Sequence, residues 1–288
     1  MKVVVFGRDG QLGLSLVDTA PAHCELVAIS RLDLDITNES QVFDYCADSR
    51  PDMIVNAAAY TAVDRAEAEP EMAASVNING PRIIASAARA IGARVIHIST
   101  DYVFDGESSI PYRPDTAMKP LNVYGQTKRD GEVAVLEESE GSAVVIRTSW
   151  LYSGYGSNFV NTMLTLMCER DELRVVADQF GTPTWAESLA KVVWRFVDAP
   201  GLSGTYHWTD GDETTWHGFA VAIQEEACEL GLLSSKIPIH AITTEDYPTA
   251  AKRPLYSVLD CSSTEAAVSS RQTHWRDNLR QMLMGTLD

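Results

Sequence analysis

The chain has 288 residues, enough for one large domain or a main domain with a smaller one, and its 45% hydrophobic content supports a substantial core. A formal net charge of −17 sets an acidic surface against phosphates, which excludes nucleic acid and anionic membrane surfaces as partners. A nucleotide held in a local basic pocket stays open.

A strand pattern starts at Lys2, so no signal peptide is expected, and no apolar run approaches the roughly 20 residues of a membrane helix. The five cysteines (Cys24, Cys46, Cys168, Cys228, Cys261) are odd in number and form no C-x-x-C pair. Neither a disulfide framework nor a zinc cluster is expected, no metal ligands are assigned, and the expected location is cytoplasmic.

Lys2 to Phe6 is a β-branched run that predicts a strand. Gly7-Arg8-Asp9-Gly10-Gln11-Leu12-Gly13 follows directly, and Leu14, Leu16 and Val17 predict a helix. Strand, glycine turn, helix is the setting in which such glycines bring backbone N–H groups and a positive helix end to a pyrophosphate. Gly7, Gly10, Gln11, Leu12 and Gly13 are therefore candidates for dinucleotide binding; a plain glycine turn is the alternative.

Glu25 to Ile29 reads as the second strand and ends in Ser30-Arg31. An arginine there suits the 2′-phosphate of NADPH, whereas an acid would hold the ribose hydroxyls of NADH. NADPH is the first reading, and Asp33 and Asp35 keep NADH open. Asp35-Ile36 is placed beside the adenine. A helix is expected over 37–49 and a third strand at Met53-Ile54-Val55. That strand runs into Asn56-Ala57-Ala58-Ala59-Tyr60-Thr61, small residues that leave room in the crevice outside the sheet. Residues 71–90 predict one alanine-rich helix, within which Asn77 and Asn79 face either backbone or ligand.

Arg94 to Ile98 predicts another buried strand, with His97 a core histidine. Ser99-Thr100-Asp101-Tyr102 sits at its end, where the Thr100 hydroxyl is positioned to donate to a substrate carbonyl. Prolines 111, 114 and 120 mark residues 105–121 as a loop. It leads to Asn122-Val123-Tyr124-Gly125-Gln126-Thr127-Lys128. Tyr124 and Lys128 are four residues apart, one helical turn, on one face. A free phenol titrates near 10, and an adjacent ammonium lowers that value. The pair is thus suited to exchange a proton with a substrate oxygen. Residues 143–147 predict a strand, followed by Trp150 and Tyr152, which either stack on a ligand ring or pack.

Strands alternate with helices to about residue 150, which predicts an α/β fold with a doubly wound parallel sheet. The remainder is mixed: helices over 158–168, 187–197 and 215–230, short strands at 173–176 and 204–208. We expect an NAD(P)-binding Rossmann domain over 1–152 and mainly a smaller mixed α/β substrate lobe over 153–288, some of whose segments return to the sheet. Arg253, in the basic run Lys252-Arg253-Pro254, is either a diphosphate clamp or half of an ordinary ion pair.

Gly7-x-x-Gly10-x-x-Gly13, Thr100 and Tyr124-x-x-x-Lys128 together resemble the extended short-chain dehydrogenase/reductase superfamily. The strings Gly10-Gln11-Leu12-Gly13, Asn56 to Asp64, Ser99 to Phe104, Asn122 to Lys128, Arg147-Thr148-Ser149-Trp150 and Arg253-Pro254 are similar to its dTDP-4-dehydrorhamnose reductase family over nearly the whole chain. The resemblance implies hydride delivery from NADPH, or NADH, to the C4 ketone of dTDP-4-dehydro-β-L-rhamnose. It implies Tyr124 as proton donor, Lys128 as holder of the nicotinamide ribose, and Thr100 as the group orienting the carbonyl. Gly10, Gln11, Leu12, Asp35, Ile36 and Ala59 to Thr61 would line the cofactor; Thr100, Asp101 and Trp150 would meet the nucleotide sugar. Family members that form homodimers with Mg²⁺ at the interface imply both for this chain, without mapped ligands. Ser30-Arg31 departs from relatives with an acid there, and Tyr60 from those with histidine. The dehydratases of the superfamily resemble a Thr-Asp-Glu string where Tyr102 stands here, so the second carboxylate is missing. An epimerase and a non-catalytic NADP-binding subunit, like the β subunit of methionine adenosyltransferase, are the other readings.

Overall fold

The computed structural model describes residues 1–286. In chain order, β1 (Lys2–Phe6), α1 (Gln11–Asp18), β2 (Glu25–Ile29), α2 (Glu39–Ser49) and β3 (Met53–Asn56) come first. Then follow α3 (Val63–Ala68), α4 (Pro70–Ala74), a π-helical turn (Ser75–Asn79), α5 (Gly80–Ile91) and β4 (Arg94–Thr100). The long loop ends in α6 (Val123–Glu138), β5 (Val144–Thr148) and β6 (Leu151–Tyr152). After these come α7 (Phe159–Glu169), β7 (Leu173–Val176), β8 (Phe180–Gly181), β9 (Thr184–Trp185), α8 (Ala186–Val197) and β10 (Gly204–His207). The chain closes with β11 (Thr214–Thr215), α9 (Trp216–Glu229), β12 (Ile239–Ile242), α10 (Ser262–Val268) and α11 (Trp275–Met284).

Six strands form one parallel sheet in the order β10-β5-β4-β3-β1-β2. Val3, Val4 and Val5 are fully buried because helices cover both faces, which is why the strand shows no polar alternation. One face packs Val3, Val5 and Val55 against Leu16 of α1 and Leu189 and Val193 of α8. The other packs Val4, Phe6 and Ile54 against Val42 of α2 and Ile83 and Ile84 of α5. A separate core, built from Val160, Leu173, Phe219, Ile223 and Leu279, holds the smaller lobe together. Its β7 and β12 pair in parallel.

Helix α8 and strand β10 belong to the second half of the chain yet complete the large sheet, β10 pairing Gly204–His207 with Val144–Arg147. The expected single helix over 71–90 is interrupted. Pro81 lacks an N–H, and its ring crowds the carbonyl four residues back, that of Asn77. The backbone widens there into the π turn, and the Asn77 carbonyl turns outward against Gly131 of α6. Any side chain at Gly131 would overlap that oxygen, so the glycine inside α6 permits the two helices to touch. Helix α2 begins at Glu39 rather than Thr37, because the Asn38 side chain caps it by accepting from Gln41 N at 3.2 Å.

Candidate active site

A cleft of about 800 Å³ opens at the carboxyl ends of the sheet strands. Where β1 turns into α1, Gly7 has φ 92°, and a Cβ there would stand 2.6 Å from Ala58 N. Only glycine lets the turn lie against the end of β3. Gly10 caps α1 with no side-chain hydrogen bond, leaving the first N–H groups of the helix for an anion. Gly13 lies beneath the turn, against the Gly7 carbonyl, and lines no part of the cleft.

Gly7, Gly10, Gln11 and Leu12 line the cleft together with Ser30, Arg31, Asp35 and Ile36 from the end of β2. Ala57, Ala58, Ala59, Tyr60 and Thr61 follow from the end of β3. Ser30 donates its hydroxyl to Asp33 at 2.8 Å, and Arg8 pairs with the same carboxylate at 3.3 Å. The Asp35 carboxylate accepts from Thr37 N at 2.9 Å and Thr37 Oγ1 at 2.8 Å. These bonds, chiefly the backbone one, with Arg31 nearby, hold its pKa below the usual carboxylate value.

Thr100, Asp101, Tyr124, Lys128 and Trp150 border the same cleft. Asn122 caps α6 by accepting from Gly125 N at 2.8 Å, which fixes where the Tyr124–Lys128 face begins. Asn122 also donates to the Lys252 carbonyl at 2.8 Å, tying the helix start to the 250–255 segment. Lys128 is 2% exposed and donates to the Ile98 carbonyl at 2.7 Å. Burial lowers its pKa to about 8, against the pull of Glu132.

Burial acts on Tyr124 in the opposite sense and raises its phenol to about 12; the Thr100 hydroxyl lowers it and the Asp101 charge raises it. The expected depression by Lys128 is therefore corrected. Loss of water, not the charge of Lys128, sets this value, and the ammonium donates to the Ile98 carbonyl. The resting phenol is neutral, the form that can give up a proton. Thr100 Oγ1 donates to Asp101 Oδ1 at 2.9 Å, and the other Asp101 oxygen is buried without a partner among the described residues. Asp101 is raised to about 6 by burial, with the Thr100 hydroxyl and nearby backbone amides working against it.

Behind the cleft, Glu132 stands one turn after Lys128. It accepts from Ser99 and from Arg147, whose Nε and Nη2 lie at 2.9 and 2.7 Å. This buried pair pins α6 to β4 and β5. Asn77 pins its other side by donating to Thr127 at 3.1 Å while exchanging bonds with the Tyr60 backbone.

Arg253 is placed outside the cleft lining. Its guanidinium forks onto Asp64, at 2.6 and 3.1 Å. The sequence reading missed Trp216, which lines the cleft from the lobe. It also missed Asn158, which caps α7 and donates to Gln11 at 3.0 Å across the two halves. Asn158-x-x-Asn161 before an apolar helix is a capping signal that would have marked the first of these roles. Among the described residues no three His, Cys, Asp or Glu side chains gather to hold a metal ion. No helix among them is long and apolar enough to cross a membrane.

The family described as "RmlD substrate binding domain" matches residues 1–287. The dTDP-4-dehydrorhamnose reductase of Escherichia coli is 41% identical over 98% of this chain and 97% of its own. The crystal structure of the dTDP-4-dehydrorhamnose reductase of Clostridium acetobutylicum superposes with a TM-score of 0.93 at 37% identity, covering 100% of both chains. That of Bacillus anthracis, solved in complex with NADP, gives 0.93 at 35% identity over 99% of both. The dTDP-glucose 4,6-dehydratase DesIV of Streptomyces venezuelae, at 20% identity and 0.81, shares the fold.

Proposed function

This chain belongs to the RmlD substrate-binding domain family, and from that premise we infer that it reduces the C4 ketone of dTDP-4-dehydro-β-L-rhamnose to dTDP-L-rhamnose, the last step of dTDP-rhamnose formation. The observation that carries this reading is a single cleft bordered by the glycine turn and by Tyr124, Lys128 and Thr100. NADPH, when bound, supplies the hydride.

The chain's own residues do the rest. The glycine turn and the open first turn of α1 fit the pyrophosphate. Tyr124, neutral at rest, gives its phenolic proton to the oxygen that becomes the C4 hydroxyl. Lys128, already near 8, is charged or neutral at little cost around neutrality, and holds the nicotinamide ribose. Thr100 turns its proton from Asp101 to the carbonyl oxygen. Tyr102, packed edge-on against Tyr124 at 5.6 Å, fills the place of the second carboxylate that water elimination needs.

NADPH is the preferred donor in this reading. Arg31 lines the cleft just after β2, and Arg8 pairs with Asp33, two residues further on. In this reading the chain acts in the cytoplasm as a homodimer. Incubating the pure protein with NADPH and dTDP-4-dehydro-L-rhamnose, then identifying the product, tests the activity. Stoichiometric dTDP-L-rhamnose is expected; cofactor binding without turnover would make the chain a non-catalytic subunit instead. Light scattering on the same sample tests the dimer.

A further inference from the structure

Trp150 and Trp216 reach the cleft from opposite halves of the chain. Trp150 holds a left-handed backbone, φ 46°, which a bulky residue keeps only where its surroundings impose it. Its indole lies face to face with that of Trp216, 3.6 Å between ring centres and 9° between planes. Its edge rests on Gly181, where a Cβ would stand 2.5 Å from indole Cε2. The short ladder of β8 and β11 pairs Gly181 with Thr214, two residues before Trp216. Thr215 then caps α9 by accepting from Gly218 N at 3.0 Å, and Phe159 backs Trp216 at 4.6 Å. Both indoles border the cleft.

We propose that Trp216 is a positioning residue for the nucleotide sugar. By stacking on Trp150 it holds that indole in its left-handed setting as a fixed apolar wall, on which the C–H face and methyl group of a deoxy-sugar pack. The proposal rests on the reading of the cleft as a nucleotide-sugar site. A wall ordered before binding spares the complex the entropy of fixing it, so its loss weakens sugar binding without touching the proton donor. The cofactor half of the cleft contains neither indole's support.

The test uses Trp216→Ala, Trp216→Phe and Gly181→Ala. Stacked indoles give the wild type an excitonic couplet in circular dichroism. Both Trp216 variants abolish it, and Gly181→Ala weakens it by displacing the Trp150 edge. KM for dTDP-4-dehydro-L-rhamnose rises about tenfold in Trp216→Ala and Gly181→Ala, the scale of one aromatic pair. In the same variants kcat stays within about twofold and the NADPH Kd is unchanged. Trp216→Phe, which keeps a ring, falls between. An unchanged KM with the couplet gone overturns the proposal, as does an equal loss of NADPH affinity. If Trp216→Ala does not fold, Gly181→Ala decides. Wild-type turnover with unaltered variants defeats this proposal alone; a wild type inert towards the sugar defeats it together with the functional reading.

Discussion

The Thr100 hydroxyl gives its one proton to the Asp101 carboxylate, 2.9 Å away, although both groups border the cleft. A hydroxyl so engaged cannot donate to a substrate carbonyl until it turns or until Asp101 is protonated. The Asp101 pKa, pushed up to about 6, lies close enough to neutrality for either.

This coupling sets a pH dependence of stability. The folded-state value lies above the ordinary 3.8, so the unfolded chain loses this proton first. Stability owed to Asp101 is whole below about pH 4 and is lost as pH rises through about 6. Asp101→Asn is therefore expected to stabilise the fold by about 3 kcal/mol at pH 8, with the gain vanishing near pH 4. Thermal melts across that range read it; a gain that does not vary with pH would discard the account.

Tyr124→Phe removes the phenolic proton and little else, since the ring stays packed on Tyr102. We expect kcat to fall about 10²- to 10⁴-fold with cofactor affinity intact. Steady-state NADPH oxidation measures it, and near wild-type kcat would falsify the donor role.

Arg31→Ala probes the choice of cofactor. If the guanidinium meets the 2′-phosphate, the Kd for NADPH rises about tenfold or more while that for NADH barely moves. Titration of each nucleotide decides, and equal losses would remove Arg31 from that role.

Gly131→Ala should destabilise although alanine favours helices by about 1 kcal/mol. Its methyl overlaps the Asn77 carbonyl, so α6 must shift. A net loss of about 2 kcal/mol in urea unfolding is expected, with a fall in kcat because Tyr124 and Lys128 ride on the same helix. A neutral variant would show that the two helices are not in contact there.

The parts of this fold and site that were legible in the sequence are those whose signals are local. Apolar runs revealed the sheet strands, and the Tyr124–Lys128 interval revealed a shared helix face. Pro81 carried the message of the π turn, yet alanine periodicity on both sides concealed it. Other features depend on partners far along the chain. Asp64 and Arg253 stand 189 residues apart, and no spacing rule joins them. An aromatic at a helix start, such as Trp216, reads as core whether or not a cleft lies beside it. The Tyr124 phenol followed the charge rule in the sequence and the burial rule in the fold, because spacing says nothing about how much water a packed helix excludes.

The return of β10 to the large sheet also bears on any attempt to divide the molecule. A fragment ending at Tyr152 would keep the glycine turn, Thr100, Tyr124 and Lys128, but would strip the outer rail of β5 of its partner. All five residues of that strand are buried, and four carry β-branched side chains. Its unsatisfied amides and carbonyls would become a template for a second copy, and polymerisation would follow. Four residues contributed from the other half thus close this edge of the half that carries the glycine turn.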